Sequence, residues 1–237
     1  MRVLFVGNSH TYFNDMPAQF ARMCREMGVE AQVQMLAYSG RSLHWHRAEY
    51  FALRFALLHG GFDDCVLQQQ AHPFPGEAET EQALDAILPL CEKAGTRPVL
   101  FMTWAEKAKP ENAAPMIRCY RRLAERHGAL LAPVGELFER FRGTEIELYW
   151  KDGEHASPYG SYLTAATLAA LLCGTEGLER LSDRGCDFDV RFEAPDGLPL
   201  AAESLSGAEI SLSPEKAAAL RLAIRELLED GNETRYR

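Results

Sequence analysis

Three residues of this sequence have the types and spacing of a nucleophilic relay. They are Ser9, in Gly7-Asn8-Ser9-His10-Thr11, and Asp152 with His155, in Asp152-Gly153-Glu154-His155. Three positions apart in a turn or first helical turn, a carboxylate and an imidazole can share one face within hydrogen-bonding reach. The carboxylate then fixes the ring's tautomer and leaves the other nitrogen free as a base. Such a base needs a hydroxyl, and Ser9 stands just after an apolar run, residues 3–6, and a glycine. Each piece alone is ordinary, because Ser and Asn are common in turns and Asp often caps a helix beside a solvated His.

What could join them is the alternation of elements. Residues 3–6 read as a buried strand, and 16–27 as a helix with Phe20, Met23, Cys24 and Met27 at helical spacing, Asp15 as its cap and Gly28 as its stop. Residues 31–37 alternate like a strand exposed on one side, and 43–58 read as one helix closed by Gly60-Gly61. Strands follow at 64–70, 98–104 and 129–134, separated by helices at 77–94 and 112–127; a short helix spans 135–141. Strand and helix alternate five times, the pattern of a doubly wound parallel sheet. In such a sheet the strand-to-helix loops emerge on one edge, so residues 9 and 152–155 can meet. A long apolar helix is expected at 159–172 and an irregular excursion with room for a short hairpin at 174–212. A last helix is expected at 213–228, capped by Ser213, with Ala218, Leu220, Leu222, Ile224 and Leu228 as its packed face, before a polar tail at 230–237.

The totals narrow the class. A chain of 237 residues, 47% hydrophobic and 25% charged, suits one α/β domain with a substantial core. A net charge of -9 argues against nucleic acid or an anionic membrane as partner. No apolar run reaches the roughly 20 residues that cross a bilayer. A strand beginning at Arg2-Val3 leaves no room for a leader, so the expected location is cytoplasmic. The six cysteines are scattered without a C-x-x-C pair, which suits reduced, buried thiols rather than a disulfide frame or a metal site.

Gly7-Asn8-Ser9 followed by a helix resembles the Gly-Asp-Ser block of the SGNH (GDSL-like) hydrolases, and Asp152-x-x-His155 resembles their late Asp-x-x-His block. Ser157-Pro158-Tyr159-Gly160 fits the helix start after it, and Gly40 in Tyr38-Ser39-Gly40-Arg41 lies where that family keeps its second-block glycine. The likeness covers roughly residues 1–172, nearest to a Gly-Asn-Ser subgroup with a Leu-Gln-rich third strand. It implies a flavodoxin-like α/β/α three-layer sandwich and ester hydrolysis through an acyl-enzyme, with no cofactor. By position, Ser9 is then the nucleophile, His155 the base and later acid, and Asp152 its orienter. The amides of Ser9 and Gly40 would donate to the oxyanion, where losing one donor costs about 2.7–4 kcal/mol. The family's third donor is an Asn side chain after the third strand. Here Gln68-Gln69-Gln70 stands there, with Gln70 the expected substitute and Gln68 second.

Other residues on this edge are candidates for the substrate site: Gln68, His72, Trp104, His10 and Arg41. Trp104 reads equally as pocket wall or core. His10 as a rival base is disfavoured, since chain neighbours seldom point together, and His44 and His46, two apart, do not share a helical face for a metal. Tyr12, Asn14, His72, Trp104 and Tyr149 would suit a polar, sugar-like acyl carrier. Two readings follow: a serine esterase acting on a small-molecule O-acyl ester, and a catalytically silent α/β module binding a small ligand at the same edge. Oligomeric state is left open.

Overall fold

Strand β1 (Arg2–Gly7) is apolar on both sides, with Val3 to Val6 almost wholly buried, as a central parallel strand requires. The computed structural model describes residues 1–187 and 208–233. After β1 come a single helical turn, α1 (Ser9–Tyr12), and helix α2 (Met16–Glu26). Strand β2 (Gln32–Ala37) leads to α3 (Leu43–Ala48) and α4 (Tyr50–Gly60). Strand β3 (Asp64–Gln68) leads to α5 (Glu77–Ala94), and β4 (Arg97–Phe101) to α6 (Ala113–His127). Strand β5 (Leu130–Ala132) leads to α7 (Val134–Phe141), and α8 (Pro158–Cys173) follows the Asp-x-x-His loop. Strands β6 (Arg184–Asp187) and β7 (Ala208–Ser211) form an antiparallel pair before α9 (Pro214–Glu233).

The five main strands run parallel in the order β2-β1-β3-β4-β5. Alternate residues of β1 serve two cores. Val3 and Phe5 pack with α2, α7, α8 and α9; Leu4 and Val6 pack with α3, α4, α5 and α6. The result is an α/β/α three-layer sandwich of the flavodoxin-like order, as expected. In this order the chain reverses direction between β1 and β3, and the crevice beyond their carboxyl ends is where such sheets hold ligands.

Several expectations change. The helix expected at 43–58 breaks at Glu49, whose ψ of 50° leaves the helical region. The first half is drawn onto the sheet edge, where His46 Nε2 lies 2.7 Å from the Gly7 carbonyl. Both halves pack against α5 on either side of the break. Asp15 does not cap α2: it and Asn14 both adopt left-handed backbone, at φ 51° and 52°. Such residues store about 1–3 kcal/mol each, and Asn14 is held there by bonds of its side chain to the Ala156 carbonyl (3.0 Å) and Ser161 Oγ (2.9 Å).

Strands β3, β4 and β5 stop short of the expected ends; after β3 the next residues turn their backbone groups to side chains. Gln70 N–H, for example, donates to Gln69 Oε1 at 2.9 Å. Helix α9 continues beyond residue 228 and buries Ala217, Leu220, Ala223 and Ile224, leaving Ala218 and Leu222 exposed. The hairpin expected within 174–212 is β6–β7; residues 188–207 and 234–237 lie outside the described part. Among the described residues no helix is long and apolar enough to cross a membrane.

Gly7 is demanded by space. A Cβ there would collide with Gln68 Oε1 and Thr11 Oγ1, two atoms that hydrogen-bond each other at 2.9 Å. Gly7→Ala is expected to lose about 1–3 kcal/mol through overpacking, read as a lower urea midpoint. An unchanged midpoint would mean that Gln68 and Thr11 move aside freely.

Candidate active site

The turn after β1 is fixed by side chains. Asn8 N–H donates to Gln68 Oε1 (2.8 Å), Asn8 Nδ2 to the Arg41 carbonyl (3.0 Å), and Asn8 Oδ1 accepts the His10 N–H (3.1 Å) as a helix cap. Ser9 is thereby the first residue of α1, half-buried. Its amide has no acceptor among the described residues, and neither has that of Gly40. Gly40 sits at φ 65° in a turn closed by Arg41 N–H on the Tyr38 carbonyl at 3.1 Å.

Asp152 and His155 reach Ser9 from the loop before α8. His155 Nε2 lies 2.8 Å from Ser9 Oγ, and its Nδ1 lies 2.7 Å from Asp152 Oδ2. With Nδ1 protonated, the ring donates to Asp152 and accepts from the serine hydroxyl. Asp152 Oδ1 accepts the amides of Glu154 (2.9 Å) and His155 (3.0 Å). Burial alone would raise the Asp152 carboxyl, but these amides and the His155 ring outweigh it and hold it below the usual carboxylate range.

The loop is anchored on several sides. Trp150 N–H donates to the His155 carbonyl, Lys107 N–H to the Gly153 carbonyl, and Trp104 Nε1 to the Glu154 carbonyl, each at 2.8 Å. Two rings stack on the His155 imidazole: Phe13 at 4.4 Å and His10 at 4.9 Å between centroids.

The remaining expected residues divide sharply. Ser9, Asp152 and His155 are brought together, with Gly40 on the turn beside Tyr12 and Ser39. Gln68 is corrected: its Oε1 accepts from Asn8 N–H and Thr11 Oγ1, its Nε2 donates to the Gln69 carbonyl (2.6 Å), and it is wholly buried, out of a substrate's reach. Trp104 belongs to the core, 1% exposed and stacked on Phe138 at 3.8 Å. Gln70 Nε2 is turned to the His72 carbonyl at 3.4 Å, and His72 Nε2 lies 3.0 Å from the Trp104 carbonyl. Asn14 and Tyr149 are buried as well, so neither can greet a sugar. His10, a candidate for the substrate site, is instead buried and stacked on His155. Arg41 is exposed, its guanidinium over Trp45 at 5.3 Å.

Sequence reasoning missed Gln69 and Phe13. Gln69 is wholly buried; its Oε1 accepts Leu43 N–H (2.9 Å) and its Nε2 donates to Thr80 Oγ1 (3.1 Å), tying the second-block turn to α5. A polar run inside a buried strand was the signal for Gln69; nothing local marked Phe13. Among the described residues no cluster of His, Cys, Asp and Glu could hold a metal.

No protein-family model matches the sequence, and no curated protein sequence matches it. Solved structures do. A protein of the DUF4886 family from Bacteroides uniformis superposes with a TM-score of 0.71 at 16% identity, over 96% of this chain and 94% of its own. A protein from Desulfitobacterium hafniense assigned to the G-D-S-L family of lipolytic proteins gives 0.59 at 15% identity, over 72% of this chain and 98% of its own. The chain has the SGNH-hydrolase fold. The acetylxylan esterase Axe2 from Geobacillus stearothermophilus, as a catalytic mutant, shares it with a TM-score of 0.56 at 13% identity, over 72% of this chain and 91% of its own. Esterases and lipases thus lie among its structural neighbours.

His10 carries a measurable consequence. Burial first, then repulsion from His72 and His155, push its pKa well below the ordinary 6.5, and the Glu154 carbonyl nearby only partly offsets this. Among the described residues neither ring nitrogen closes a hydrogen bond. An unfolded chain takes up this proton below about pH 6.5 while the fold refuses it, so stability is lost as pH falls. His10→Phe is expected to flatten the drop in urea-derived stability between pH 7 and 5, by at most about 1.4 kcal/mol per pH unit. Parallel pH profiles for both proteins would contradict this.

Proposed function

We propose that this chain is a serine esterase that cleaves a small-molecule O-acyl ester through Ser9, His155 and Asp152. The observation that carries the reading is the unbroken run from Ser9 Oγ to His155 Nε2 at 2.8 Å and from Nδ1 to Asp152 at 2.7 Å. In the first step Ser9 Oγ bonds to the ester carbonyl carbon and its proton passes to Nε2, while the carbonyl π pair moves onto oxygen. Asp152, held ionised, stabilises the resulting imidazolium. The open amides of Ser9 and Gly40 are the backbone donors to the oxyanion. Collapse breaks the C–O bond, and the alcohol leaves with the proton from His155. Water then repeats the sequence on the acyl-enzyme and releases the acid.

The acyl carrier we propose is polar and sugar-like, with an acetyl or other short acyl group. Tyr38 is 47% exposed and lies 5.0 Å from the Trp45 ring at the turn bearing Gly40. Trp150 meets Phe13 at 5.7 Å on the His155 side. Rings at both flanks of the serine offer faces on which a sugar can stack. Axe2, a structural neighbour, is an acetylxylan esterase.

Wild-type protein is expected to hydrolyse short p-nitrophenyl esters and acetylated oligosaccharides. Ser9→Ala should remove turnover by about 10⁶-fold, and Asp152→Asn should lower kcat by about 10³–10⁴-fold without unfolding the protein. A wild type that leaves every such ester intact would favour a silent ligand-binding module. Full turnover in Asp152→Asn would remove Asp152 from the relay.

A further inference from the structure

The side-chain donor that acyl transfer expects beside the two amides is missing from its usual place. Gln68 keeps its amide wholly buried in the core, and Gln70 turns its amide to its own loop. Tyr12 is placed differently. It lies three residues after Ser9 on the single turn α1, so the two side chains share a face. Its phenol, half-buried, lies beside the hydroxyls of Ser9 and Ser39, and Ser39 immediately precedes Gly40 with its open amide.

We infer that Tyr12 is a catalytic residue of the proposed esterase reaction: its phenol O–H, standing between Ser9 and the Ser39–Gly40 turn, donates to the carbonyl oxygen as that oxygen becomes negative. The inference rests on the esterase reading above. In the resting site the Ser9 proton points to His155, so Ser9 Oγ is an acceptor facing Tyr12. Once Oγ bonds to the acyl carbon and the carbonyl pair moves to oxygen, the negative charge appears beside Oγ. The O–H re-aims to it through a torsion about its own C–O bond. Tyr12 keeps its proton throughout; the proton in transit is the serine's, carried by His155 Nε2. Burial raises the phenol above its usual value near 10, against the smaller opposing pull of Ser39 and Ser9, so it stays a donor over the working pH range. A phenol thus takes the part of the asparagine amide that the third strand lacks.

The test compares wild type, Tyr12→Phe and Gln70→Ala on p-nitrophenyl acetate. It also compares their affinities for an aryl trifluoromethyl ketone, which forms an oxyanionic hemiketal with Ser9, and for the matching methyl ketone, which does not. Tyr12→Phe, isosteric but for one oxygen, is expected to lower kcat about 10²-fold, the usual loss for one oxyanion donor. KM and Tm should stay near wild type, and trifluoromethyl ketone affinity should fall by the same factor while methyl ketone affinity holds. Gln70→Ala is expected to lose less. Retained kcat in Tyr12→Phe overturns the assignment. So does a loss of kcat that leaves the ratio of the two ketone affinities unchanged, since that marks a structural role. A larger loss in Gln70→Ala moves the donor to Gln70. A wild type without turnover overturns the esterase reading itself, which separates the two failures.

Discussion

Gln68 carries its amide into the sheet core with no exposure, and the turn that presents Ser9 hangs from it. Its carbonyl oxygen takes the Asn8 N–H and the Thr11 hydroxyl together, so the chain leaving β1 must bend where it does. The close approach leaves no room for a side chain at Gly7. A buried acceptor stripped of its donors costs about 1–3 kcal/mol, which makes the interaction self-enforcing: both ends lose if either moves. One residue further, Gln69 does the same for the start of α3, from which the Gly40 turn is suspended. Two neighbouring glutamines, pointing to opposite sides of one strand, set the positions of the Ser9 and Gly40 amides.

Against that fixed edge, the Asp-x-x-His loop is held by backbone and core. The Trp104 indole grips the Glu154 carbonyl, Asn14 grips the Ala156 carbonyl, and Phe13 and His10 stack on the imidazole. The unfavourable backbone of Asn14 and Asp15 and the unpartnered ring of His10 both sit in this region. These are costs a purely structural corner would not need to carry. They place His155 so that one nitrogen meets Ser9 while the other meets an ionised carboxylate.

The alternation of strands and helices and the edge on which residues 9 and 152–155 meet were legible in the sequence. Periodicity reports burial, and the order of elements limits where loops emerge. What stayed hidden was where polar side chains spend their hydrogen bonds. The Gln68-Gln69-Gln70 run reads as an amide donor for an oxyanion because the resemblance places an Asn donor after the third strand. The structure turns two of the three amides inward, since a buried strand cannot leave them unpaired. Asn14 and Tyr149 read as pocket lining, and Trp104 as either wall or core; all three were taken by the core. The break at Glu49 was invisible because each half of that helix is helical by its own pattern, and the contact that holds the first half, His46 on the Gly7 carbonyl, is distant in sequence.

The central claim is that this frame makes one serine among the chain's hydroxyls a nucleophile. Fluorophosphonate labelling of the native protein, followed by peptide mapping in a mass spectrometer, tests it most directly. The expected result is a single phosphonyl group on the peptide containing Ser9, absent when His155 is replaced by Ala. Native protein that takes up no label, or that labels at another serine while cleaving esters, would contradict the account.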